Sequence, residues 1–192
     1  MQTDENALLR KAATGDGAAF SSLMEIHERR MYAVALRMCA NHEDAQDCLQ
    51  EAMLRIYRAI SSFKGQSSFS TWVYRITMNT CLDELRRRKM RRTTSLDGLL
   101  DSGWSPAEEL ETPENNAIRS EQRRQIDRAI ASLPDDMRSA IVLRDIQGFS
   151  YEEIAEMLNA NAGTIKSRIS RGREKLRETL SLHAELFDRG DV

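Results

Sequence analysis

A chain of 192 residues, 41% hydrophobic and 30% charged, has enough apolar side chains for one domain or two small ones, which excludes a disordered or fibrous protein. The longest apolar run, residues 31–36, is far shorter than the roughly 20 residues of a membrane helix, and no signal peptide opens the chain, so a cytosolic protein without membrane insertion is expected. The formal charge of -2 conceals a division: residues 1–93 carry 15 Lys and Arg against 11 Asp and Glu, residues 94–121 carry 1 against 7, and residues 122–192 carry 12 of each.

Apolar residues recur three and four apart almost throughout, with only nine Gly and three Pro, so the expected fold is all-α. A helix over 18–39 places Phe20, Leu23, Met24, Met31, Val34, Ala35 and Met38 inward, with His27 inside that stripe as a satisfied core histidine. The next, over 43–60, turns Ala45, Leu49, Ala52, Ile56 and Ile60 inward. Its opposite stripe is Asp47, Gln50, Glu51, Leu54 and Arg58, a polar face with one apolar residue, which suits either a protein-binding helix or an ordinary solvated one. After the loop Phe63 to Phe69 a third helix begins near Ser70. Trp72 and Tyr74 precede Arg75 and Asn79, a combination suited to stacking and base-edge hydrogen bonding, with Trp72 read mainly as core. Six of the seven residues 86–92 are cationic, among them Arg86, Arg87 and Arg88, and such a helix end favours phosphates.

Residues 94–121 then read as a flexible acidic linker, with Gly98, Gly103, Pro106 and Pro113 and the cluster Glu108, Glu109, Glu111 and Glu114. Beyond it a helix stops at Pro134, and another runs from Met137 to Gly148. Ser150 and Glu153 form the pattern of a capping box, which starts a short helix over 151–158. A tight turn follows. In the last helix Ile165, Ile169, Gly172 and Leu176 fall within about 60° of one another at 100° per residue, defining a buried face. The opposite face holds Gly163, Ser167, Ser170, Arg171 and Glu174, flanked by Lys166 and Arg173 on one side and Thr164 and Arg168 on the other. A short helix, a tight turn and a second helix with this mixture of small polar and cationic residues fit a helix-turn-helix reading the major groove. Lys166 and Arg171 are placed to reach base edges or nearby phosphates, Arg168 and Arg173 the flanking backbone. Glu174 accepts from a cytosine or pairs with Arg171.

Four stretches, DAQDCLQEAMLRIYRAISSFKG, SFSTWVYRITMNTCLDELRRRKMRR, LPDDMRSAIVLRDIQGFSYEEIAEML and GTIKSRISRGREKL, resemble bacterial sigma factors of the extracytoplasmic-function class in order and spacing. The resemblance implies that residues 1–93 are region two, which recognises the -10 promoter element and binds core RNA polymerase, and residues 122–192 are region four, which recognises the -35 element. It also implies that Asp47, Gln50, Glu51 and Leu54 dock on the polymerase clamp. By the same similarity Asn79 reads a flipped -10 base, the loop containing Phe63, Lys64 and Phe69 pockets that base, and Lys166, Ser167, Ser170 and Arg171 read the -35 element. Ser170 is a departure, because relatives carry a bulkier residue there. The family often has an anti-sigma partner.

The expected function is therefore a promoter-specificity subunit, acting with RNA polymerase on promoter DNA and needing no cofactor. The rival is a stand-alone helix-turn-helix regulator that binds an operator as a dimer. An enzyme is the weakest reading, since no nucleophile-base pair, metal constellation or Gly-rich phosphate loop stands out. Cys39, Cys48 and Cys81 include no CxxC pair, and with three scattered histidines they give neither a disulfide framework nor zinc-ligand spacing, so no metal is expected and the cysteines read as small buried hydrophobes.

Overall fold

A computed structural model describes residues 2–94 and 116–182, with side chains over 5–91 and 121–182. The acidic cluster Glu108, Glu109, Glu111 and Glu114, most of the expected linker, and the tail from His183 lie outside the described residues. Within them the structure is helical, as the apolar periodicity predicts, in two bundles.

The first bundle comprises α1 (Gln2–Ala13), α2 (Gly17–Cys39), α3 (His42–Ala59) and α4 (Phe69–Thr94). Short polar residues start three of these helices. Asp16 accepts the Ala19 amide at 3.0 Å, Asn41 accepts that of Asp44 at 3.1 Å, and the Ser68 hydroxyl accepts that of Thr71 at 3.0 Å, each satisfying an otherwise unpaired first-turn donor. Helix α2 ends where Ala40 takes the left-handed conformation, φ 55°, and returns its N–H to the Leu36 carbonyl. Leu23, Met31, Val34 and Met38 of α2 meet Ala45, Ala52 and Ile56 of α3 and Val73, Met78 and Cys81 of α4, all fully buried. His27 is also buried and bonds Glu5 of α1 at 3.1 Å. Burial holds its pKa below the ordinary 6.5, with Glu5 opposing, so it is the satisfied core histidine expected.

The second bundle comprises α5 (Asn116–Ala131), α6 (Asp135–Ile141), a π turn over Val142–Ile146, α7 (Tyr151–Met157) and α8 (Ala162–Ser181). Helix α5 begins six residues before the expected start of the second domain, so the end of the expected linker is helical. Ile130, Leu133, Ile141, Leu143, Ile154, Met157, Ile165 and Ile169 close its core. Gly172 sits where α8 crosses α6. A Cβ there would lie 2.8 Å from Ile141 Cγ1, and Ile141 is itself buried and stiff at χ1. Gly172→Val is therefore expected to destabilise the second bundle by about 1–3 kcal/mol, read as a lower denaturant midpoint for its unfolding. An unchanged midpoint would show that α6 and α8 can part without cost.

The bundles pack on one another. Arg138 of α6, buried, donates to the Met38 carbonyl at the end of α2 at 2.6 Å and to the Leu133 carbonyl at 2.9 Å. Arg37 pairs with Asp127 at 3.4 Å, and the rings of Tyr74 and Phe149 meet at 5.2 Å.

Candidate nucleic-acid interface

Helix α7 starts with the full reciprocal capping box: Glu153 N–H donates to the Ser150 hydroxyl at 3.1 Å and Ser150 N–H to the Glu153 carboxylate at 2.8 Å. The hydrogen bonds from Ser150 hold the Glu153 carboxyl below the ordinary range. Asn159, at φ 48°, makes the sharp turn, and Asn161 caps α8 by accepting the Thr164 amide at 2.7 Å. With Ile165 and Ile169 buried, α8 is fixed in rotation and turns Lys166, Ser170 and Arg171 to the surface.

The cations of this face are held in place. The Lys166 ammonium lies 5.6 Å from the centre of the Tyr151 ring, which also carries Arg144 at 4.8 Å. Arg171 donates to the Ser167 hydroxyl at 2.8 Å, so Ser167 supports its neighbour as well as lying on the same face. Arg168 pairs with Asp136 at 3.4 Å, and Arg173 donates to Asp145 through Nε at 3.0 Å. Thr164 is half-buried at the N-terminal end of the same hollow, whose lining includes Asp136, Asn161, Ser167, Arg168 and Arg171.

In the first bundle Asn79 is exposed on α4, and Lys64 is exposed on the preceding loop. Phe63 is half-buried against Phe69 and Trp72, with ring centres at 5.5 and 5.2 Å. Phe69 departs from expectation. Its ring is 7% exposed, packed on His27, Phe63 and Trp72, so it supports the loop from within the core and offers no free face to a base. Trp72 and Tyr74, at 8% and 1%, are core too, which leaves Phe63, Lys64, Arg75 and Asn79 as the accessible members of this group.

The basic end of α4 is less bare than its composition implies. Arg86 pairs with Asp83 at 3.6 Å, Arg87 with Glu84 at 3.7 Å, and Arg88 with Asp44 of α3. These surface pairs are weak and salt-sensitive, so phosphates can replace their carboxylates. Arg75 reaches across to Glu156 of α7 at 3.2 Å, and Thr71 donates to Glu153 at 3.1 Å. Thus α4, expected to read the -10 element, touches α7, the first helix of the helix-turn-helix.

On α3 Asp47 and Gln50 are exposed and Leu54 is 49% exposed, as the helical spacing predicts. Arg55 donates to Glu51 at 2.8 Å and to Asp83 at 3.1 Å, and the hydrogen bond to Glu51 holds that carboxyl below the ordinary range. Tyr57, 50% exposed and packed edge-on against Phe20 at 5.0 Å, adds a second apolar anchor beside Leu54 that sequence reasoning missed, although its i+3 spacing from Leu54 was a signal for it.

Comparison with known proteins places this geometry. Residues 23–91 match the model of Sigma-70 region 2, and residues 123–176 match Sigma-70, region 4. The chain belongs to the sigma-70 family. It is 34% identical to the RNA polymerase sigma-H factor of Pseudomonas aeruginosa over 93% of this chain and 95% of that protein. It is 37% identical to the ECF RNA polymerase sigma-E factor of Escherichia coli K12, over 91% and 93%. Among solved structures, a sigma factor RpoE crystallised with the anti-sigma factor NepR from Bartonella quintana superposes with a TM-score of 0.72 at 26% identity, covering 84% of this chain and 96% of that one. As a sigma factor the chain is a promoter-recognition subunit of RNA polymerase. The exposed face of α8 lies inside the region 4 match, and both Asn79 and the α3 stripe lie inside the region 2 match. Among the described residues no helix is long and apolar enough to cross a membrane.

Proposed function

We propose a division of labour within this sigma factor. The stripe Asp47, Gln50, Glu51 and Leu54, extended by Tyr57, docks on core RNA polymerase. Asn79, with Phe63, Lys64 and Arg75 around it, reads an unpaired -10 base. Its amide supplies both a donor and an acceptor, which suits a base edge freed from pairing. Helix α8 enters the -35 major groove, with Lys166 and Arg171 at base edges, Ser167, Ser170 and Thr164 beside them, and Arg168 and Arg173 on phosphates. Arg86, Arg87 and Arg88 follow the backbone near the -10 element. The chain works in the cytoplasm, catalyses nothing itself, and is held by an anti-sigma factor when idle, as the sigma factor crystallised with NepR is bound by one.

The observation that carries this reading is the rotation of α8. Its buried edge, Ile165 and Ile169, is completely closed, and the cationic edge opposite is exposed and held by Tyr151 and Ser167. Lys166→Ala and Arg171→Ala should each cost about 1–3 kcal/mol at a good -35 element, and Asn79→Ala should slow duplex opening and relax choice at one -10 position while polymerase binding is retained. Competition between matched and mismatched promoters for the polymerase complex measures both effects. Equal preference by wild type and all three variants would refute the assignment of these residues.

A further inference from the structure

Cys39, Cys48 and Cys81 are far apart in sequence, on three different helices, yet their Sγ atoms all lie within 4.8 Å of one another. Cys39 closes α2, Cys48 faces inward from α3, and Cys81 faces inward from α4, at 5%, 3% and 0% exposure. The Cys39 and Cys48 sulfurs are 3.6 Å apart. Two thiolates on one tetrahedral zinc, each about 2.3 Å from the metal, stand roughly 3.8 Å apart. The pair is therefore already at metal-ligand spacing, and the third sulfur needs a shift of about 1 Å to join it. A disulfide would fit less well. It requires the sulfurs to close to about 2.05 Å and leaves the third thiol unused.

We propose that Cys39, Cys48 and Cys81 form a three-thiolate site for a thiophilic divalent cation of the zinc class, at the junction of α2, α3 and α4. Binding exchanges three S–H protons, released to solvent, for three metal–sulfur bonds, and leaves the fourth position open. The resulting centre carries one negative charge. Entry is from one side. Cys48 forms part of the lining of a groove between α3 and α4, together with Thr80, the carboxylates of Asp44, Asp47, Glu51 and Glu84 and the guanidinium groups of Arg87, Arg88 and Arg91, so the groove is a polar entrance whose opposite charges largely balance. Asp47 and Glu51 belong to the docking stripe, so an ion bound to Cys48 fixes the helix that presents that stripe against both its neighbours. The site stands on its own geometry and does not depend on which residues read the promoter.

The test uses the full chain, reduced and stripped with a chelator, then titrated with cadmium as the spectroscopic probe and with zinc as competitor. The expected result is thiolate-to-cadmium charge-transfer absorption that saturates at one ion per chain, with protons released as the ion binds and a higher thermal midpoint in zinc. Cys39→Ser, Cys48→Ser and Cys81→Ser should each weaken cadmium binding by at least about tenfold. The wild-type titration decides by itself if a variant fails to fold. No absorption at saturating cadmium, absorption only after unfolding, or binding with no release of protons would overturn the site. So would binding unchanged by Cys48→Ser, or oxidation by peroxide to a Cys39–Cys48 disulfide in a chain that takes up no cadmium.

Discussion

Leu54→Arg is expected to abolish detectable association of the chain with core RNA polymerase while leaving its helical content and thermal midpoint unchanged. Leu54 is half exposed on α3, on the face of Asp47, Gln50 and Glu51 and beside Tyr57, and is not part of the buried core. An apolar anchor at the centre of an interface contributes about 2–4 kcal/mol when truncated, because the ring of polar contacts around it excludes water only while it fills its pocket. Arginine adds the cost of burying an unpaired cation in that pocket, and together these exceed a thousandfold loss of affinity. The surrounding carboxylates contribute mainly to encounter: Glu51 is preoriented by Arg55, and Asp47 projects freely into solvent. Polymerase binding measured by fluorescence anisotropy, with circular dichroism as the folding control, checks the prediction. Full binding by Leu54→Arg would move the docking surface off α3.

The second large effect concerns the contact between the bundles. Promoter elements at -10 and -35 are separated by about 25 base pairs, roughly 85 Å of duplex at 34–36 Å per turn. In this structure Thr71 bonds Glu153 at 3.1 Å and Arg75 pairs with Glu156 at 3.2 Å, so the -10 helix α4 lies against α7, the helix that supports α8. The closed arrangement cannot engage both promoter elements together. Polymerase binding must part the bundles, and dyes attached through Gln66→Cys and Glu178→Cys, both exposed, should lose most of their energy transfer when polymerase saturates the chain. The contact that must break includes buried Arg138 on the Met38 carbonyl and the rings of Tyr74 and Phe149 as well as the Arg75–Glu156 pair, which is partly exposed and contributes only about 0–1 kcal/mol, so docking on polymerase must offset mainly the buried part. Undiminished energy transfer in the polymerase complex would contradict this opening.

What the sequence made legible was local. The capping box at Ser150, the cap at Asn161 and the buried edge Ile165, Ile169 and Gly172 follow from spacing within one or two turns, and together they orient the whole reading face of α8. The α3 stripe followed for the same reason. Helix α1 was not foreseen: Leu8, Leu9 and Ala12 are its few apolar contacts, too short a pattern to stand out before α2. The resemblance assigns Phe69 to the base pocket, but the direction of its ring depends on His27 and Trp72, which no local pattern reveals. The same holds for the bonds of Thr71 and Arg138 across the bundle boundary, between residues 82 and 100 positions apart. The cysteines are the sharpest case. Spacings of nine and thirty-three residues suggest no ligand set, and only the packing of three helices brings their sulfurs together.

The most direct measurement is transcription in vitro by core polymerase supplied with this chain, on a library of templates varied at both promoter elements. The account predicts transcripts that depend on the chain, begin downstream of paired -10 and -35 sequences, and are lost when either element is scrambled. A chain that protects a palindromic operator tightly without polymerase, and adds no transcription to the core enzyme, would contradict it and favour a stand-alone helix-turn-helix regulator.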